Sequence, residues 1–136
     1  MPISDAYIVQ YLLDGTARVP AQITWTQRNA EHAAFLACVE DVDVIFEPIY
    51  SRTSSRLVLR FQHAGEQFSI CEPARRGWLG RKFWTEDERR LALLFRELAA
   101  AISSQCTARR HHSESHQDEI RDRIGRQLLF GRATSR

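Results

Sequence analysis

The stretch WTEDERRLALLFRELAAAISS, residues 84–104, decides the fold. Thr85 stands at an N-cap position and Glu88 follows at the spacing of a capping box. Residues 86–88 are all acidic and occupy the first turn, where the helix dipole favours negative charge. An apolar stripe follows at helical spacing, formed by Leu91, Leu94, Phe95, Leu98 and Ile102. This pattern predicts an amphipathic helix whose apolar face is buried against a sheet built from the preceding residues.

The sheet is predicted most clearly from residues 42–71, where apolar and polar side chains alternate in three runs. Ala64-Gly65 separates the last two runs and has the length of a tight hairpin loop. The apolar positions are Val42, Val44 and Phe46 in the first run, Leu57, Leu59 and Phe61 in the second, and Phe68 and Ile70 in the third. We expect an antiparallel three-strand meander with one apolar face.

Two segments before the meander are ambiguous. Residues 6–13 are rich in β-formers, Asp14-Gly15 is a turn signal, and residues 18–26 alternate in character, which favours a hairpin. The alternative is an N-terminal helix that is capped by Ser4 and stopped by Gly15. For residues 26–39 we expect a short helix, and the alternative is a buried strand over residues 33–39.

After residue 106 the sequence predicts a polar linker over residues 107–115 and a last helix over residues 116–130. The expected order of elements is therefore β-β-α-β-β-β-α-α, an α+β fold in which residues 1–106 form a single domain. This order resembles that of PAS-like sensory modules. The resemblance covers element order alone and implies a small-molecule sensor as one further alternative.

Composition places the chain among ordinary one-domain proteins. It has 136 residues, 43% of them hydrophobic and 26% charged, with no apolar run long enough to span a membrane. Cys38, Cys71 and Cys106 are odd in number and widely spaced, which indicates reduced thiols. The N-terminus has no secretory signal, so we expect a cytoplasmic protein.

The net charge of +2 conceals an asymmetry between the two parts of the chain. Residues 1–50 carry two arginines against seven acids, a net charge of −5, whereas residues 51–136 carry a net charge of +7. Such an asymmetry is typical of chains that dock on a charged partner.

The densest candidate site is the segment RRGWLGRKFW, residues 75–84, which we call the basic aromatic loop. Guanidinium and ammonium groups neutralise phosphates, and aromatic rings stack on unpaired bases. Together with two arginines after the helix, the candidate binding residues are Arg75, Arg76, Trp78, Arg81, Lys82, Trp84, Arg109 and Arg110. A purely structural alternative is that the rings pin the loop to the core while the arginines stay hydrated.

Other clusters predict little chemistry. His112 and His116 are four residues apart and would share a metal on a continuous helix, but no second cluster completes a site. Glu40, Asp41, Asp43 and Glu47 are interpreted as a hydrated strand face. No recognisable catalytic motif is present, so we expect no enzymatic activity, no metal and no cofactor.

The last helix offers an apolar face at Ile120, Ile124 and Leu128, which would bind a second copy if it finds no core, and a monomer is the equal alternative. The leading hypothesis is a small non-enzymatic regulatory or accessory protein that contacts nucleic acid through the basic aromatic loop. The alternative is a protein-binding adaptor or inhibitor that uses this loop on an acidic protein surface, the acidic N-terminal half, or the last helix.

Overall fold

The computed structural model describes residues 2–28, 34–50, 55–73 and 84–131. The elements are α1 (Asp5–Ala17), β1 (Thr26–Gln27), β2 (Phe35–Val39), β3 (Val42–Tyr50), β4 (Ser55–His63), β5 (Glu66–Cys71) and α2 (Glu86–Phe130). The strands form one antiparallel sheet in the order β1-β2-β3-β4-β5. The α+β class and the sheet packed on a long helix are therefore confirmed.

The predicted meander is present as β3, β4 and β5. Val44 pairs with Phe61 and Phe46 pairs with Leu59, and all four side chains are buried on one face of the sheet. The turn between β4 and β5 is Ala64-Gly65, where both residues have positive φ, as a tight two-residue hairpin requires. Alternation of apolar and polar residues thus sets the strand register.

Helix α2 begins as its sequence predicts. The backbone N–H of Glu88 donates to Thr85 Oγ1 at 3.2 Å, and that of Thr85 donates to Glu88 Oε1 at 3.5 Å, which completes the capping box. The Phe95 ring stacks on Phe46 of the sheet with a centroid distance of 6.2 Å. The buried residues of the helix are Ala92, Leu94, Phe95, Leu98 and Ile102.

Trp25 joins the sheet to both helices. Its fully buried ring lies edge-on to Phe46 at a centroid distance of 6.4 Å, and its Nε1–H donates to Thr16 Oγ1 at 2.9 Å. Its backbone N–H donates to Gln105 Oε1 at 2.7 Å, while Gln105 Nε2 donates to the Ile23 carbonyl at 2.9 Å. One side-chain amide of α2 therefore holds the irregular segment 18–25 by its backbone.

The hairpin predicted at Asp14-Gly15 is wrong, and the alternative helix capped by Ser4 is correct, except that the helix continues past Gly15 to Ala17. Residues 5–17 form α1, and Ser4 Oγ accepts a hydrogen bond from the Tyr7 N–H at 3.2 Å as the N-cap. The helix buries Val9, Leu12 and Thr16 on one face. Glycine is tolerated at position 15 because Ile23 packs directly against it. Tertiary packing therefore overrides a turn signal and a run of β-formers.

The helix expected over residues 26–39 is also wrong where the structure describes this segment. Residues 26–27 are β1 and residues 35–39 are β2, whereas residues 29–33 lie outside the described residues. In β2, Ala37 is buried between exposed Leu36 and Cys38, which is the alternation of a strand. Pairing with β3 therefore outweighs the helix propensity of the alanines.

Residues 107–115, predicted as a linker, are helical and belong to α2. They contain neither glycine nor proline, and adding residues to an existing helix costs less than nucleating a new one. By compactness the chain divides into two units, Met1–Gln105 and Cys106–Arg136. The rest of the predicted domain assignment, a single domain over residues 1–106 and a C-terminal segment over residues 116–130, stays a prediction.

Gly15→Ala tests whether the close contact between Gly15 and Ile23 positions α1 against segment 18–25. A Cβ atom there would lie 2.6 Å from Ile23 Cδ1 and 2.8 Å from Ile23 Cγ1. We expect the free energy of unfolding to fall by about 1–3 kcal/mol in denaturant titrations, although glycine-to-alanine changes usually stabilise helices. In an Ile23→Ala background this cost should vanish.

Gly125→Ala is the matched control, because no atom outside its own helix turn lies within 4 Å of its added Cβ. It should stabilise the helix by up to about 1 kcal/mol. Equal effects of the two alanine substitutions would contradict the packing role of Gly15.

Candidate functional site

The predicted basic aromatic loop falls largely outside the described residues. This holds for Arg75, Arg76, Trp78, Arg81 and Lys82, so their arrangement stays a prediction. Trp84 is described and half-buried just before the capping box of α2. Arg109 and Arg110 are exposed residues of α2 in the second unit.

Cys106 is the described thiol whose environment is most altered. Burial raises its pKa above the usual value of 9.0, although the charges of Arg109 and Arg110 act in the opposite direction. A raised pKa disfavours the thiolate, which is the form of cysteine that acts as a nucleophile.

The two histidines considered for a metal do lie on a continuous helix. His112 and His116 are both exposed and four residues apart in α2. Within the described ranges, His, Cys, Asp and Glu side chains form no group of three or more that would hold a metal ion. The geometry thus offers at most two of the four ligands that a structural zinc site needs.

The second unit exposes large apolar side chains. Ile124 is 52% exposed and Leu128 is 75% exposed, and both lie within roughly 80° of the half-buried Ile120 around the helix. We call Ile120, Ile124 and Leu128 the apolar helix face. Leu129 and Phe130 are also exposed but project from other sides of the helix. Four large apolar side chains are thus exposed within seven residues. This is a denser cluster than the single exposed apolar residues that are normal on protein surfaces.

The first unit has an exposed apolar stripe that was not predicted from the sequence. Ile3, Tyr7 and Tyr11 are each more than half exposed and recur at intervals of four residues along α1 and its N-terminal approach. The spacing was visible in the sequence, but it carries this meaning only once the segment is known to be helical. The stripe is exposed, whereas the face of α1 that contains Val9 and Leu12 is buried.

Strand β5 forms one edge of the sheet. Phe68 in this strand is 52% exposed, although its ring stacks on buried Phe61 with a centroid distance of 4.6 Å and an interplanar angle of 8°. Apart from the buried Ile70, every residue of β5 is exposed. The opposite edge is β1, which has only two residues. The longer, exposed edge at β5 can therefore accept a further strand more readily than the two-residue edge at β1.

Two grooves formed by described residues of the first unit are lined largely by charged and polar groups. One of about 450 Å³ lies beside α1 and the turn after β2, where Tyr11, Asp14, Arg18, Cys38 and Glu40 contribute to its wall. Another lies at the β4–β5 turn and includes Asp41, Asp43 and Glu66. Neither is the apolar cavity that a PAS-like sensor would need for its ligand.

The acidic residues at the start of β3 are on the surface, as their alternation predicts. Asp43 is exposed, and Glu47 Oε1 pairs with Arg60 Nε at 3.1 Å across the sheet. This arrangement neutralises one carboxylate and leaves the other in water, which is typical of a hydrated sheet face.

No helix in the described part of the chain combines the length and the apolar character needed to cross a bilayer. Comparisons with protein-family profiles, with curated proteins and with solved structures find no match to this chain.

Proposed function

We propose that the protein is a non-enzymatic adaptor that binds another protein through the apolar helix face. The observation that carries the proposal is the exposure of Ile124 and Leu128 on one side of a helix whose neighbouring positions are mostly polar or charged. Exposed apolar stripes rimmed by polar residues mark protein interaction sites.

The form of this surface favours one mode of recognition. Side chains at intervals of four residues on a helix fit an apolar groove between elements of a partner. Both signs of charge border the stripe, since Glu119 and Arg123 lie on one side and Arg121 on the other. A partner groove with a polar rim of both signs would therefore match it.

The charge of the second unit argues against nucleic acid as the ligand of this helix. Residues 106–130 of α2 carry five arginines and four acids, a net charge of +1, and two further arginines, Arg132 and Arg136, raise the net charge of the second unit to +3. Asp118, Glu119 and Asp122 alternate with the arginines, so a phosphate chain along the helix would meet repulsion as well as attraction.

The proposal is tested with the full chain as bait in an extract of the source cells, treated with nuclease. We expect one partner to be retained in stoichiometric amount. Ile124→Glu combined with Leu128→Glu should weaken its binding by about 30-fold, because a charge then enters an apolar contact. Affinity is measured with the purified partner by calorimetry.

Leu129→Glu is the control, since Leu129 is 77% exposed but points roughly 140–180° away from Ile124 and Ile120. It should bind as the unaltered chain does. Retention of the partner by the double variant at unchanged affinity would contradict the proposal, as would the absence of any stoichiometric partner.

Contact with nucleic acid through the basic aromatic loop is a second candidate. The supporting observation is one of charge: the described residues of the first unit carry seven arginines against twelve acids, whereas residues 74–83 carry four cations and no acid. Residues 74–83 therefore carry an excess of positive charge, whereas the described residues of this unit carry an excess of negative charge. An acidic protein surface is the other ligand that such a segment would attract.

A mobility-shift assay at low salt tests this candidate. Alanine at Arg75, Arg76, Arg81 and Lys82 should weaken binding to DNA or RNA, and the salt dependence should fall by about 0.9 in slope for each phosphate that is no longer neutralised. The control removes four other cations, with alanine at Arg18, Arg28, Arg89 and Arg90, and should bind almost as before. No shift with the unaltered chain would exclude the idea.

A further inference from the structure

Strand β5 carries few of the residues that normally protect a sheet edge. It has six residues, Glu66–Cys71, and contains no proline and no lysine, with one charge at its first position. Among the described residues, no strand pairs with its outer side. The other edge strand is protected by its brevity, because β1 has only two residues.

The direction of the free backbone groups follows from the pairing with β4. The Glu72 N–H donates to the Leu57 carbonyl at 2.8 Å, so these opposed residues form a hydrogen-bonded pair. Hydrogen-bonded and non-bonded pairs alternate along an antiparallel ladder. The backbone groups of Gln67, Ser69 and Cys71 therefore point away from β4, towards the outer side of the sheet.

Phe68 gives this edge an apolar character. It lies on the same face of the sheet as the core residues Phe61 and Ile70, yet it is 52% exposed. Phe61 covers one side of its ring in a parallel stack. A further strand beside β5 would cover the rest of the ring.

We propose that β5 pairs antiparallel with β5 of a second copy of this chain, about a two-fold axis at Phe68. The register places Phe68 opposite Phe68 of the second copy, Gln67 opposite Ser69, and Glu66 opposite Ile70. Gln67 of each copy then lies opposite Ser69 of the other copy, and their outward backbone groups form two hydrogen-bonded pairs.

Self-complementarity is what identifies the second copy as the occupant. Phe68 and its counterpart form a non-bonded pair, the closer of the two antiparallel spacings, where aromatic side chains interact well. The two Phe61–Phe68 stacks join into a row of four rings. Across the interface no like charges oppose each other, since Glu66 faces an isoleucine and Gln67 faces a serine. A strand of unrelated sequence would need its own aromatic residue opposite Phe68 and no acidic residue opposite Glu66.

Sedimentation equilibrium of the full chain over a concentration series tests the proposal, and we expect a reversible dimer. Ser69→Pro should raise the dissociation constant by about tenfold or more, because it removes one outward donor from each copy. The substitution leaves the bonds to β4 intact, since the Ser69 N–H points away from that strand. Ser69→Ala keeps the donor and should dimerise like the unaltered chain.

Charge exchange at the two-fold axis makes the test specific for the register. Phe68→Lys and Phe68→Glu should each be monomeric, because like charges then oppose each other, and an equimolar mixture should recover a heterodimer. Circular dichroism and thermal melting verify the fold of every variant. A monomer at every concentration would overturn the proposal, as would a dimer unaffected by Ser69→Pro or one abolished by the Ile124→Glu and Leu128→Glu pair.

Discussion

The hydrogen bonds between the Gln105 side chain and the backbone of residues 23 and 25 determine how the first unit is assembled. Segment 18–25 lies outside any strand or helix, so its buried backbone groups need partners from elsewhere. Gln105 supplies one donor and one acceptor. Trp25 then brings Thr16 of α1 against the sheet, where its ring meets Phe46. Two helices and the sheet therefore converge on one residue.

Gln105 is also the last residue of the first unit, and the exposure of the apolar side chains of α2 differs on its two sides. Up to Ile102 its large apolar residues are mostly buried in the core, and Phe95 contacts the sheet directly. In the second unit, Ile124 and Leu128 are exposed instead. A helix that continues after its core contacts have ended provides a binding surface at small cost, because propagation does not require a new nucleus. The proposed adaptor function follows from this division.

Much of the fold could be predicted from the sequence because its local signals and tertiary packing agree. The capping box at Thr85 marks the start of α2, and the alternation in residues 42–71 predicts β3, β4 and β5 without help from distant residues. In α1 the local signals conflict, and the packing of its buried face, which includes Gly15 against Ile23, favours the helix. The apolar helix face could be predicted from its spacing, but the exposed stripe of α1 has meaning only on a helix, and the β5 edge has meaning only once the strand order is known.

Amide hydrogen exchange at Trp25, compared between the unaltered chain and Gln105→Ala, tests the assembly most directly. In the unaltered chain this amide should exchange only on global unfolding, as the core amides of β4 do. In Gln105→Ala it should exchange at least about tenfold faster than those core amides, with a decrease of about 1–3 kcal/mol in the free energy of unfolding. Exchange at Trp25 that still follows the core amides, with stability equal to that of Ser104→Ala, would contradict the role assigned to Gln105.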